Sequence, residues 1–449
     1  EIGVRLVGSE MCIRDRANTW LSGNNLSDLT YISWDAKDSW VSDSYYWLFF
    51  NIALCNEFLR HCSDEEIARF SEAEQTEIRT FRSEARFMRS FSYWMVLDLY
   101  RQGPKVDENT PVIGYIPEAY DGIGMFDFIE SELKELVAEG VSSALPATNE
   151  YGRASKPVAW ALLARLYLNS AVYRGNVDTK YYTECITACK QVISNPAFYL
   201  EPEYAKLFNA DNHKRTHEIL FAMVCDATTS VTWGGGTYII CGSCGNSSTQ
   251  DPAKYGLSNG WGMFRARGEM TAKFGDIATT KDSRAMFYTE GQAQFFTGAI
   301  DNQAEGYFFE KFSNLTDEGV AASNSAATGC STDYPLLRLA DIYLMAAEAQ
   351  LRGGTGLSRA EALELVNQVR LRAYNQDESG KISDSDFTLD FILDERAREL
   401  YLESVRRTDL IRFNKFVSAD YIWQWKGGVL DGRACLLYTS DAADDMQCV

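Results

Sequence analysis

The chain has 449 residues, 46% hydrophobic and 24% charged, the balance of an ordinary soluble globular protein with room for a large core or two lobes. A formal net charge of −20 weighs against nucleic acid as a partner, because phosphate binding needs clustered Lys and Arg. No run of about 18 apolar residues occurs, so no transmembrane helix is expected.

Residues 1–16 and 435–449 show no periodic pattern that would dock on a core. Both resemble translated sequencing adapter and are set aside from the fold reading. Residues 17–44 are polar and aromatic, with Trp20, Trp34, Trp40 and Gly23-Asn24-Asn25, and read as a loop leading into a helix. Tyr45 to Arg60 is strongly apolar and predicts a buried helix. Ser63, followed by Asp64-Glu65-Glu66, is a helix-start signal. A long helix is expected from about Ser71 to Arg101, stopped by Gly103-Pro104. Phe126 to Glu139 carries Ile129, Leu133 and Leu136 on one helical face. Ser155 can cap the next helix, with Pro157 in its first turn and Gly175 at its end. Residues 180–194 return, with Cys185 and Cys189 one turn apart.

Residues 196–333 differ. Glu218 to Cys225 and Tyr307 to Phe312 read as strands, separated by loops with Gly234-Gly235-Gly236 and many Ser, Thr and Asn. Loops this long on a rigid scaffold tend to carry function. Helices are expected to resume at Pro335 and close at Gly353-Gly354, and Ser358 with Glu361 forms a capping box. From Leu389 to Phe416, Leu389, Ile392, Leu393, Ala397, Leu400 and Tyr401 share one apolar helical face, and Glu403 precedes Arg407 by four. The plain reading is a packed helix with a solvated polar face. The density of Arg and Glu also allows docking through a charged network.

The runs at 161–168 and 339–346 look alike, and helix–turn–helix units recur at about 84–139, 153–194 and 335–373. The fold class expected is mainly α: tetratricopeptide-like helical hairpins broken by an irregular, loop-rich lobe with a few short strands.

Candidate chemistry is sparse. No serine nucleophile elbow, phosphate loop or His-rich cluster appears among three His. Cys241 and Cys244 make one Cys-x-x-Cys, and His213 and His217 are followed directly by a strand-like run, which is too little for a zinc site. Buried free thiols are the preferred reading, with a Cys241–Cys244 loop disulfide as the alternative. A sugar ring offers an apolar face and a rim of hydroxyls, suited to loop aromatics flanked by Asp, Asn and Arg. Trp20, Trp34, Trp40, Trp233, Tyr238, Trp261 and Phe264 lie in predicted loops. The candidate ligand-binding set is Trp34, Asp38, Trp40, Trp233, Tyr238, Asn259, Trp261 and Arg265. Trp34 beside Asp35 and Asp38, and Trp261 beside Asn259 and Arg265, are the strongest groupings. For each Trp the plain alternative is burial under its own loop.

The run Asp394-Glu-Arg-Ala-Arg-Glu-Leu and the run Arg406-Arg-Thr-Asp-Leu-Ile-Arg412 resemble the C-terminal signature of the SusD/RagB family. Glu84–Pro104, Gly152–Tyr173 and Tyr334–Arg372 agree with it in the family's order. The resemblance implies an N-terminal helical region at 17–195, a ligand-binding lobe at 196–333 and a C-terminal helical region at 334–434. It implies a non-catalytic lipoprotein, anchored by lipid on the outer face of the outer membrane. Such a protein captures oligosaccharide or polysaccharide and delivers it to a SusC-like, TonB-dependent transporter. Alternatives are a RagB-like peptide receptor, a tetratricopeptide scaffold without a small ligand, and, with less support, a glycoside hydrolase. No cofactor is expected; a structural calcium ion is compatible with the loops but no ligand pattern indicates one.

Overall fold

The structure, a computed structural model, describes residues 16–18, 27–35, 37–229, 236–323 and 329–434. Trp20 and Trp233 lie outside the described residues.

Strand β1 (Arg16–Asn18) and helix α1 (Ser27–Tyr31) precede the scaffold. Asp38 caps α2 (Ser39–Arg60), its carboxylate accepting from Trp40 N at 2.8 Å and Val41 N at 3.2 Å. Ser63 caps the short α3 (Asp64–Ile67). A Ser71–Glu74 capping box starts α4 (Glu72–Tyr100), and left-handed Arg101 ends it. β2 (Gly103–Pro104) pairs with β3 (Ala119–Tyr120). α5 (Gly122–Val137) begins a turn earlier than its apolar pattern, because Asp121 accepts from Gly124 N at the cap. α6 (Lys156–Leu168) carries Pro157 in its first turn, and α7 (Ser170–Arg174) closes on Gly175 at φ 72°. α8 (Thr179–Ile193) is the returning helix.

The lobe then holds β4 (Ile219–Met223), α9 (Gly236–Ser243), β5 (Phe264–Ala266), α10 (Gly268–Thr271), β6 (Phe287–Tyr288), β7 (Phe308–Phe309) and β8 (Tyr334–Arg338). α9 replaces the loop expected there. Its residues are all buried, so tertiary packing overrides the flanking glycines. The strand read at 307–312 shrinks to two residues, paired with β6. Pro335 starts no helix. It lies in β8, antiparallel to β4 with Met223 opposite Tyr334 and Ile219 opposite Arg338. A two-stranded ribbon has only edges, and an edge tolerates proline.

α11 (Leu339–Leu351), α12 (Arg359–Ala373, entered through the Ser358–Glu361 box), α13 (Leu389–Leu400) and α14 (Arg406–Arg412) complete the chain. The stretch 389–416 is therefore two helices. Leu402 at φ 62° and Ser404 at φ 59° break it.

Neighbouring helices stack in series: α2 on α4, α4 on α5, α5 on α6, α6 on α8, α8 on α11, α11 on α12. The look-alike runs in α6 and α11 flank α8, so the array continues across the lobe inserted between α8 and α11. One apolar core fills this array, from Leu48 and Phe87 through Leu162 to Ile342. A second, built from Phe208, Tyr238, Phe264, Phe309 and Tyr401, fills the lobe.

The polar face of α13 is not solvated. Glu395 and Glu399 are 0% exposed and Arg396 3%. Arg338 of β8 reaches Glu218 at 2.7 Å, Glu399 at 3.0 Å and Glu403 at 2.7 Å. Arg284 joins Glu395 at 2.8 Å and Glu399 at 3.1 Å. Glu403 pairs with Lys311 at 2.6 Å and with Arg338; Arg407 turns instead to Asp98, its Nη1 donating to the backbone carbonyl at 3.0 Å. The expected Glu403–Arg407 pair is absent because the helix has already ended at Leu400 and Glu403 lies in the break before α14. The charged network welds α13 to the lobe.

Candidate functional site

The cap on α2 places the first candidate ring. With Asp38 holding the first turn, Trp40 leans half-buried over the lobe, its ring centroid 6.3 Å from that of Tyr238. Tyr238 stands on α9 and is 7% exposed. Its ring meets Trp261 at 6.4 Å and Phe264 at 5.1 Å, both edge-on. Two candidate tryptophans far apart in the sequence thus share one tyrosine.

Backbone bonds hold Trp261 there. Trp261 N, Gly262 N and Met263 N donate to Cys241 O, Cys244 O and Gly242 O, at 2.7, 2.7 and 2.9 Å. These carbonyls end α9, so the 261–263 segment serves as its C-terminal partner. The approach is close. A Cβ on Gly242 would stand 2.4 Å from the Phe264 ring, which requires glycine there. Trp261 is half-buried and Asn259 is exposed beside it.

The other candidates divide. Trp34 is half-buried, 6.4 Å from Phe416, in a small cluster with Ile32, Leu410 and Trp423 that adjoins the lobe core. Asp35 beside it is exposed. Asp38 is 7% exposed; burial raises its carboxyl above the usual range, against the two backbone bonds it accepts. Its position makes it a helix cap first. Arg265 corrects the sequence reading. It is 0% exposed, its guanidinium 3.3 Å over the Phe308 ring, donating to Gly262 O at 3.2 Å, Phe264 O at 3.1 Å and the Gln303 side chain. β5 is covered on both sides, by β1 and β7, so adjacency to Trp261 in sequence does not bring Arg265 to the surface. Phe264 is likewise 0% exposed. Gln303, which sequence reading missed, braces Arg265 and Gly262 from a remote loop. No local pattern marks it.

Elsewhere, an apolar cavity of about 320 Å³ lies between α2, α4 and the β4–β8 ribbon, lined by Met88, Met95, Phe221 and Leu336 with Asp98 and Glu403. Both carboxylates are committed. Asp98 accepts from the hydroxyls of Tyr173 and Thr408, each at 2.7 Å, and Glu403 holds Arg338 and Lys311. Among the described residues, no group of three or more His, Cys, Asp or Glu is placed to hold a metal ion, and no helix is long and apolar enough to cross a membrane.

Comparison with known proteins agrees with this architecture. Residues 278–434 match the sequence model of the SusD family. The starch-binding protein SusD of Bacteroides thetaiotaomicron is 29% identical, over 93% of this chain and 78% of that protein. A SusD-like protein of Bacteroides ovatus is 23% identical, over 92% of this chain and 73% of its own length. Among solved structures, the surface glycan-binding protein A of Bacteroides thetaiotaomicron in complex with laminarihexaose superposes with a TM-score of 0.70 at 18% identity, over 93% of this chain and 85% of that one. A structure with a xylogluco-oligosaccharide gives 0.68 at 21%, over 93% and 82%. The chain is thus similar to the SusD family in sequence over residues 278–434, and its fold is that of the SusD-like glycan-binding proteins over most of its length.

Proposed function

We propose that this protein is a non-catalytic receptor for glycan at the outer surface of the cell, and that it stacks the sugar on Trp40 and Trp261. The observation that carries this reading is the pair of half-buried indoles converging on Tyr238. Neighbouring half-exposed rings can meet the apolar faces of sugar units while exposed Asn259 bonds the hydroxyl rim. Relatives named for starch, laminarihexaose and xylogluco-oligosaccharide are the reason to try glucose-based chains first. Capture is by affinity, with no covalent step: Asp98 and Glu403, the carboxylates at the cavity between α2, α4 and the β4–β8 ribbon, are engaged in structural bonds. Delivery to a SusC-like, TonB-dependent transporter, through a lipid-anchored position on the outer membrane, is what the resemblance to the SusD family implies and is part of the same proposal.

Calorimetric titration of the chain with starch-, laminarin- and xyloglucan-derived oligosaccharides tests it. Saturable binding to one of them, with no shorter sugars released, supports capture. A folded chain that binds none of them, but binds peptides, moves the reading to the peptide receptor.

A further inference from the structure

The Cys-x-x-Cys of the lobe is split by the fold. Cys244 Sγ donates to Gly245 O at 3.3 Å, while Cys241 and Cys330 lie together in the lobe core. The backbone brings them together. Cys330 N donates to Thr237 Oγ1 at 2.9 Å, and a Cβ on Gly236 would stand 2.3 Å from Thr332 O, so the 330–332 segment lies directly on the first turn of α9. Cys241 follows Thr237 by four residues and therefore projects from the same helix face, one turn on. Both side chains are buried in the lobe core, Cys241 at 1% and Cys330 at 3% exposure, and both are free thiols in this structure.

We propose that Cys241 and Cys330 close a disulfide in the working protein, fastening α9 to the segment that enters β8. The proposal rests on the outer-surface reading above, because that compartment lets disulfides persist. The chemistry is exchange with an external disulfide, small or protein-borne. The Cys241 thiolate attacks one sulfur of it and releases one thiol. The Cys330 thiolate then attacks the Cys241 sulfur of the mixed disulfide and releases the second. Both cysteines are oxidised, the oxidant is reduced to two thiols, and the two cysteine protons pass to them. Tyr238 sits on α9 between Thr237 and Cys241, so the bridge pins the ring that Trp40 and Trp261 share. The long loop it closes also constrains the unfolded chain.

The test equilibrates the full chain in an oxidised/reduced glutathione buffer, alkylates the remaining thiols after unfolding, digests without reduction and maps linked peptides by mass. A Cys241–Cys330 peptide is expected, lost in Cys330→Ser and kept in Cys244→Ser. Reduction should lower the Tm of the unsubstituted chain by several degrees and leave that of Cys330→Ser unchanged. A Cys241–Cys244 or Cys225–Cys330 bridge, or alkylation of both Cys241 and Cys330 after oxidation, overturns the proposal. Should Cys330→Ser not fold, the map of the unsubstituted chain decides alone. No sugar enters this assay, so a bridge without glycan binding would remove the functional reading and leave the bridge standing, and binding without a bridge would do the reverse.

Discussion

At the scale of single residues, neighbours in sequence separate and strangers meet. Trp261 and Arg265 are four apart, yet one reaches the surface and the other lies sealed under Phe308. Trp40 and Tyr238 are nearly two hundred residues apart and share a contact. Loop composition marked the aromatics as candidates; their exposure depends on which strand covers which face, and that is long-range information. The distinction is measurable. Trp40→Ala and Trp261→Ala should each weaken glycan binding about tenfold, ~1.4 kcal/mol, by removing a stacking face, with little change in Tm. Arg265→Ala should do the opposite. It strips donors from Gly262 O, Phe264 O and Gln303 and empties the space over Phe308, costing about 2–3 kcal/mol of stability while the folded fraction binds as before. Titration beside a urea melt separates the two classes. A lost affinity in folded Arg265→Ala would return that residue to the site.

At the scale of elements, helices and caps were readable because their signals are local: the Ser358–Glu361 box forms as spaced. The role of the α13 polar face was not readable, because its partners arrive from distant places in the sequence: Arg284 after α10, Arg338 in β8, Asp341 in α11 and Arg372 in α12. Each buried acid faces several cations. Burial alone would raise Glu399, but Arg372, Arg338 and Arg284 outweigh it and hold the carboxyl down, at about 2. Arg338→Met keeps much of the volume and removes the charge shared by Glu218, Glu399 and Glu403. Leaving buried carboxylates short of a partner should cost about 3–5 kcal/mol, read as a fall in the urea midpoint at unchanged slope. A neutral result would mean that Arg372 and Lys311 suffice.

At the scale of the molecule, the repeat array was legible from the likeness of 161–168 to 339–346, and the lobe from the break in periodicity between them. The internal path of the lobe was not, since its strands are two to five residues long and its core is assembled from scattered aromatics. Buried acids paired with arginine set the acid limit of the whole. Glu348, Asp341 and Glu399 are fully buried and each is held at about 2 by arginines that outweigh burial. Below about pH 5 the unfolded chain takes up protons at these acids that the folded chain refuses, so stability falls with pH through that window. The net charge of −20 acts the other way, because acid relieves surface repulsion. At about 0.15 M salt surface repulsion is screened beyond roughly 8 Å, whereas the buried pairs, at 3 Å or less, are not. The buried term should therefore win, and the urea midpoint should drop steadily from pH 6 to pH 3. In Arg338→Met the Glu399 carboxyl loses one of its cations and should titrate higher, making that drop shallower than in the unsubstituted chain. A midpoint flat to pH 3 would mean that the network holds no acid below its ordinary range.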